Sequence, residues 1–145
     1  MANTIPFSFR GALFSGDHNF SNGGDAYRMS LYVTDPYTEN STIYTNTGEV
    51  LTTGGTGYSP FDLVNQTVTA TTNVAAVDWT TDPSWANATF TASFAAIYKY
   101  DAVTAANQLL VVMLDFGGAK TATNGTFTVA FPAVNTAADA IISMS

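Results

Sequence analysis

The chain contains no cysteine and only one histidine, His18. Disulfides and thiolate metal centres are therefore excluded, as are the common multi-histidine zinc sites. Charge is scarce too. Asp, Glu, Lys and Arg make up 10% of the residues, against about 25% in an ordinary domain. Arg10, Arg28, Lys99 and Lys120 are the only strong cations, and eleven acids bring the net charge to −7. Four scattered cations build no basic face, which excludes nucleic acid as a partner. Long apolar runs are also missing. The longest, Leu109 to Leu114, is far too short to cross a bilayer. The start, Met1 to Phe7, has neither the basic nor the apolar region of a signal peptide. A protein made in a cytoplasm, kept soluble and without a membrane partner is expected. The sequons at Asn40 and Asn87 then carry no meaning.

What the chain does have is 145 residues, one domain's worth, with 46% apolar residues and heavy use of Thr and Ala. Threonine suits a pleated, half-exposed surface and makes it polar without charge. A surface of this kind suits permanent contact with a partner, because little charge has to be desolvated.

Periodicity places the elements. Pro6 to Ser15 begins either as a short helix or as an extended arm, and the Gly/Asn/Asp-rich stretch Gly16 to Asp25 reads as a loop. From Ala26 to Thr34, Tyr27, Met29, Leu31 and Val33 alternate with Arg28, Ser30, Tyr32 and Thr34, which predicts a strand with one apolar face. Further strands are expected at about 61–70, 74–79, 90–100, 108–116, 125–131 and 138–144. Asp82-Pro83, Gly117-Gly118, Asn124-Gly125 and Pro132 supply the breaks. Gly54-Gly-Thr-Gly57 reads as a flexible turn and lacks the Gly-Lys-Ser/Thr ending of a phosphate loop. The pattern predicts an all-β antiparallel sandwich, jelly-roll-like. Residues 1–25 would form an N-terminal helix or arm and loop, and residues 26–145 a single domain.

Constellations for chemistry are sparse. His18 sits in a turn-rich loop with no Gly-X-Ser-X-Gly elbow to serve. Asp17, Asn19, Ser21 and Asp25 fall at calcium-loop positions. However, Asn22 stands where glycine is needed and Arg28 where a bidentate acid is needed, so no metal is expected. Asp78, Asp82 and Asp115 lie nearest to apolar segments. Asp82 and Asp115 read as turn residues, and a small hydrolase using Asp78 or Asp115 ranks last among the functions considered. Tyr58, Trp79 and Trp85 could stack on sugar rings if exposed, or fill the core if buried.

Seven segments in order carry a resemblance: Arg28-Met-Ser-Leu-Tyr32, Tyr44 to Val50, Thr56-Gly-Tyr58, Asp82-Pro-Ser-Trp-Ala-Asn-Ala-Thr-Phe-Thr91, Ala95-Ala-Ile-Tyr98, Leu114-Asp-Phe-Gly-Gly118 and Asn124 to Pro132. The series resembles small virion structural proteins of tailed bacteriophages. The resemblance implies a β-sandwich without enzymatic activity or cofactor. It implies a capsid decoration, or cement, protein on the outer face of the head. Such a protein stabilises the shell by binding the major capsid protein across subunit seams, and a homotrimer would match a local threefold seat. Phe7, Phe9 and Phe14 are the expected capsid or oligomer contacts. The alternative is a tail- or fibre-associated component that binds a glycan receptor through Tyr58, Trp79 and Trp85.

Overall fold

In the computed structural model, which describes residues 3–70, 73–132 and 140–144, the segment 5–25 contributes to the same core as the strands. Helix α1 spans Phe7–Ser15. Pro6 precedes it in an extended conformation, and the Phe7 N–H is satisfied by the Glu39 carbonyl at 2.9 Å. Gly16 ends it in the left-handed region, with the Gly16 and Asp17 N–H groups donating back to Leu13 and Ala12. Of the two sequence expectations, helix or arm, the helix forms. The N-terminal segment shares the strands' core: Phe9 packs on Phe20, and Phe20 on Tyr27 and Trp79.

Among the described residues, seven strands form two antiparallel sheets, as expected for an all-β sandwich. They are β1 (Tyr27–Tyr32), β2 (Phe61–Leu63), β3 (Gln66–Ala70), β4 (Ala75–Trp79), β5 (Ser84–Lys99), β6 (Leu110–Thr128) and β7 (Ile142–Met144). The first sheet runs β2-β1-β5-β6 and the second β3-β4-β7. The main core includes Met29, Leu31, Trp79, Trp85, Phe90, Ile97 and Val111.

Three features depart from the sequence expectation. The segment 61–70 is two strands, because Asn65 takes φ 58° and hands the chain from the first sheet to the second. Asparagine tolerates this left-handed conformation better than other non-glycine residues. The stretch 108–131 is not broken at Asn124-Gly125. Both residues lie inside β6, Gly125 opposite Ala88, and Asn124 (φ 48°) and Asn87 (φ 54°) absorb bulges in a long β5–β6 ribbon. Gly117-Gly118 likewise bulges rather than ends the strand, since Phe94 pairs with Asp115 and Ala92 with Lys120. Finally, β1 is covered on both faces. Tyr32, expected on a polar face, is buried with Tyr37, Ala96, Tyr98, Leu110 and Met113 in a second small core beneath the 33–50 segment. The expected last strand is seen at Ile142–Met144, and residues 138 and 139 lie outside the described residues.

Candidate interaction surface

Helix α1 has two faces. Phe9 and Leu13, one turn apart, point into the protein: Phe9 is only 2% exposed, and Leu13 packs against the main core. Phe7, Arg10, Gly11 and Phe14 follow the i, i+3, i+4, i+7 spacing and face outward. Phe14 is 94% exposed and Phe7 53%. The Arg10 guanidinium lies over the Phe7 ring, 5.3 Å from its centroid. Of the three expected contact residues, Phe7 and Phe14 are therefore available. Phe9 is not, because it packs edge-on against His18 and Phe20.

An apolar groove of about 490 Å³ runs between α1 and the second sheet, lined among others by Leu13, His18, Val68 and Met144. Val68 and Met144 are each more than half exposed along it. Leu13, Val68 and Met144 lie far apart in sequence, and the sequence reading did not single them out. Nor did it single out Arg10, although the outward spacing of Phe7, Arg10 and Phe14 was a legible signal.

The stacking triad is corrected by its burial. Tyr58, Trp79 and Trp85 are 4%, 1% and 5% exposed, so none offers a ring face to a sugar. Trp85 Nε1 donates to the Ser59 carbonyl at 2.7 Å, and its ring meets those of Tyr58, Phe61, Phe90 and Phe127. Tyr58 donates to Glu49 Oε1 at 2.6 Å while its hydroxyl oxygen accepts from the Leu31 N–H at 2.9 Å. Tyr44 donates to the other Glu49 oxygen at 2.5 Å. The carboxylate thus ties three separate segments together. Burial, followed by the Glu49 contact, raises the pKa of Tyr44 and of Tyr58 far above the ordinary phenol value.

The loop from Asp17 to Asp25 closes around an ammonium group. Lys99 Nζ donates to the Asp17 carbonyl at 2.8 Å and pairs with the Asp25 carboxylate at 3.1 Å, which also accepts from the Asn19 N–H at 2.7 Å. Among the described residues, no three His, Asp or Glu side chains converge as a metal site would require. The three carboxylates considered for hydrolysis are spread out. Asp78 lies on β4 in the second sheet, and Asp115 on β6 in the first. Asp115 accepts from the Gly117 N–H and Asp82 from the Phe131 N–H, both at 2.8 Å, which are backbone-holding roles. Asp78 accepts from the Trp79 N–H at 2.9 Å, and burial pushes its pKa up.

His18 is half-buried rather than an exposed turn residue. Its ring stacks on Phe20 and Tyr27, and its Nδ1 lies 3.2 Å from the Tyr27 hydroxyl. Its Nε2 is buried with no partner among the described residues. Burial lowers its pKa from 6.5 to about 4. Lys99 adds to the effect, and Asp25 and Asp17 oppose it. The unfolded chain therefore binds the proton first as pH falls, and stability is lost between about pH 6.5 and pH 4. The expected loss is about 1–2 kcal/mol, after discounting for the solvent that reaches the ring. Asp78 works in the opposite sense, since protonation relieves its buried charge. Urea midpoints at pH 7 and pH 4.5 test this. The wild type should weaken more than His18→Phe, and equal pH dependence in the two proteins would refute it.

Among the described residues no helix is long and apolar enough to cross a membrane. No family model, curated protein or solved structure matches the chain.

Proposed function

We propose that the chain is a non-enzymatic structural protein of a tailed-phage virion, a capsid decoration (cement) protein on the outer face of the head. The outward face of α1 is its assembly surface. The observation that carries this reading is the pair Phe7 and Phe14, exposed on one helix face of a charge-poor protein. Single exposed apolar residues are ordinary. Two large aromatics at i and i+7 beside an apolar groove form a patch of the kind that marks a contact site. Burying a phenylalanine fully is worth about 1.5–3 kcal/mol, so each contact is modest and many copies together hold firmly. A protein that binds the assembled shell and not its separated subunits stabilises the shell by mass action. Few charges keep such contacts insensitive to salt.

The tail- or fibre-associated alternative needs an aromatic platform for a sugar. Tyr58, Trp79 and Trp85 do not supply one, because all three are buried.

Rebinding to virions stripped of the protein tests the proposal. Phe7→Ser with Phe14→Ser should weaken retention at least ~100-fold while leaving the fold intact, because both rings stand in solvent. Retention equal to wild type would remove α1 from the assembly surface. A handful of copies confined to the tail would overturn the capsid location.

A further inference from the structure

The outer edge of β6 is closed along one half and open along the other. β6 is the last strand of the first sheet, so β5 pairs with only one of its edges. Up to Asp115 the chain itself takes the other edge. Thr4 exchanges both backbone hydrogen bonds with Met113 at 2.9 Å, and the Asp115 N–H donates to Asn3 Oδ1 at 2.8 Å. Beyond Asp115 no second strand meets β6 among the described residues. Residues 119–123 lie there between the bulges at Gly117-Gly118 and Asn124-Gly125, and all but Ala122 are exposed. In an antiparallel ladder alternate residues bond to the partner, and those between aim N–H and C=O away from it. The run is about 16 Å long, enough for one short added strand.

A groove of about 560 Å³ follows the same edge. Among the described residues its walls come only from β6 and the two residues after it, with Phe116, Phe127 and Val129 as the large apolar members. Neighbouring residues of a strand point to opposite faces. A groove lined by Lys120, Thr121 and Ala122 together therefore runs along the backbone edge and not over either face. We propose that the 119–123 edge of β6 accepts an extended peptide segment of another protein as an added strand, carrying a carboxylate beside Lys120 and an apolar side chain two residues away. The site is separate from the α1 face, and the inference stands without the capsid reading.

Charge decides between another protein and a second copy. Lys120 pairs with Ala92 and Ala122 with Phe90, so Lys120 and Ala122 share one face of the ribbon. Arg28 and Lys99 have acid partners, but Lys120 is exposed with none among the described residues. Residues 116–132 contain no acid. A second copy laid antiparallel on this edge would bring no carboxylate to Lys120. It would bring a second Lys120 to the same face instead, a like-charge neighbour. A foreign strand with one acid satisfies the cation, while the edge supplies main-chain bonds and the groove takes an alternate apolar side chain. The Thr4–Met113 pairing shows the same mode of addition on the same edge.

A lysine on an open edge can also serve only to repel other strands, and the test separates the two roles. The probe is the peptide acetyl-Thr-Val-Thr-Glu-Thr-Val-Thr-amide, titrated to millimolar concentration into the isotopically labelled full chain. It should shift the amide resonances of residues 119–123 and leave those of α1 in place. N-methylation of one alternate set of peptide amides should weaken binding at least ~10-fold, and of the other set less than ~3-fold, because only one set faces the sheet. Replacing the peptide's glutamate by glutamine should weaken binding to wild type ~3-fold and leave binding to Lys120→Ala unchanged. Lys120→Ala should also leave the mass of the free chain in solution unchanged. Self-association of Lys120→Ala would make Lys120 a guard of the edge and overturn the inference. Absence of any shift, equal losses from the two methylated sets, or shifts confined to the groove beside α1 would overturn it as well.

Discussion

Trp85→Ala is expected to destabilise the fold by about 3–5 kcal/mol and to lower the thermal midpoint by on the order of 10 °C. The indole sits where the bent β5–β6 ribbon closes over the 56–61 segment. Its ring is ringed by Tyr58, Phe61, Phe90 and Phe127 at centroid distances of 5.6–6.4 Å. Truncation opens a cavity among four aromatics that cannot all collapse into it, and it leaves the Ser59 carbonyl without its 2.7 Å donor. Trp85→Phe keeps most of the packing and loses the N–H, so its cost should be nearer 1–2 kcal/mol. Urea unfolding of the two variants checks both values. The ranking also separates two roles for this residue. A sugar-stacking tryptophan can be removed with little loss of stability. A Trp85→Ala protein within 1 kcal/mol of wild type would therefore contradict the core assignment on which rejection of the glycan platform rests.

The elements that were legible in the sequence are those decided by short-range pattern. The alternation of Tyr27, Met29 and Leu31 belongs to a strand in any context, and these three residues do face the main core. Tyr32 shows the limit of that rule. A phenol can lie at a wet surface or be buried with its hydroxyl satisfied, and here Tyr37 and the Thr45 carbonyl satisfy it at 2.7 and 2.8 Å. The 33–50 segment that supplies those partners forms none of the named strands and carries no periodic signal. Asn124-Gly125 shows a second limit. The left-handed backbone those residues accept serves a hairpin turn and a β-bulge equally well. The choice was made elsewhere, by the long pairing of β5 with β6, in which Asn87 takes the matching irregularity on the opposite strand.

The candidate surface was legible to the same degree. Spacing puts Phe7 and Phe14 on one face of α1 and Phe9 on another. It does not tell which face meets the core. That was settled by Phe20, Tyr27 and Trp79, which form the aromatic bed on which Phe9 and His18 lie. The groove depends on Val68 and Met144, brought beside Leu13 only by the second sheet.

Gly57→Ala is expected to cost about 3 kcal/mol, and Gly55→Ala only about 1 kcal/mol, although the two glycines share one turn and nearly one conformation, φ 71° and 74°. The left-handed backbone penalises a side chain at either position by about 1–2 kcal/mol. At Gly55 a new Cβ would meet nothing within 4 Å. At Gly57 it would lie 2.6 Å from the Asn87 carbonyl oxygen and 3.2 Å from that of Ala86. Those are backbone atoms of β5 and cannot rotate away as a side chain could. The Thr89 N–H bond to the Thr56 carbonyl, 2.9 Å, and the Trp85 bond to Ser59 pin the two segments together on either side of the contact. To admit the methyl, the 56–59 segment must lift from β5, loosening Tyr58 and with it the Glu49 link to Leu31. The difference between the two variants therefore measures the close approach alone, with backbone strain cancelled. Equal urea midpoints for Gly55→Ala and Gly57→Ala would mean that the 56–59 segment is free to lift. It would then be a mobile cover over Trp85 rather than part of the core that encloses it.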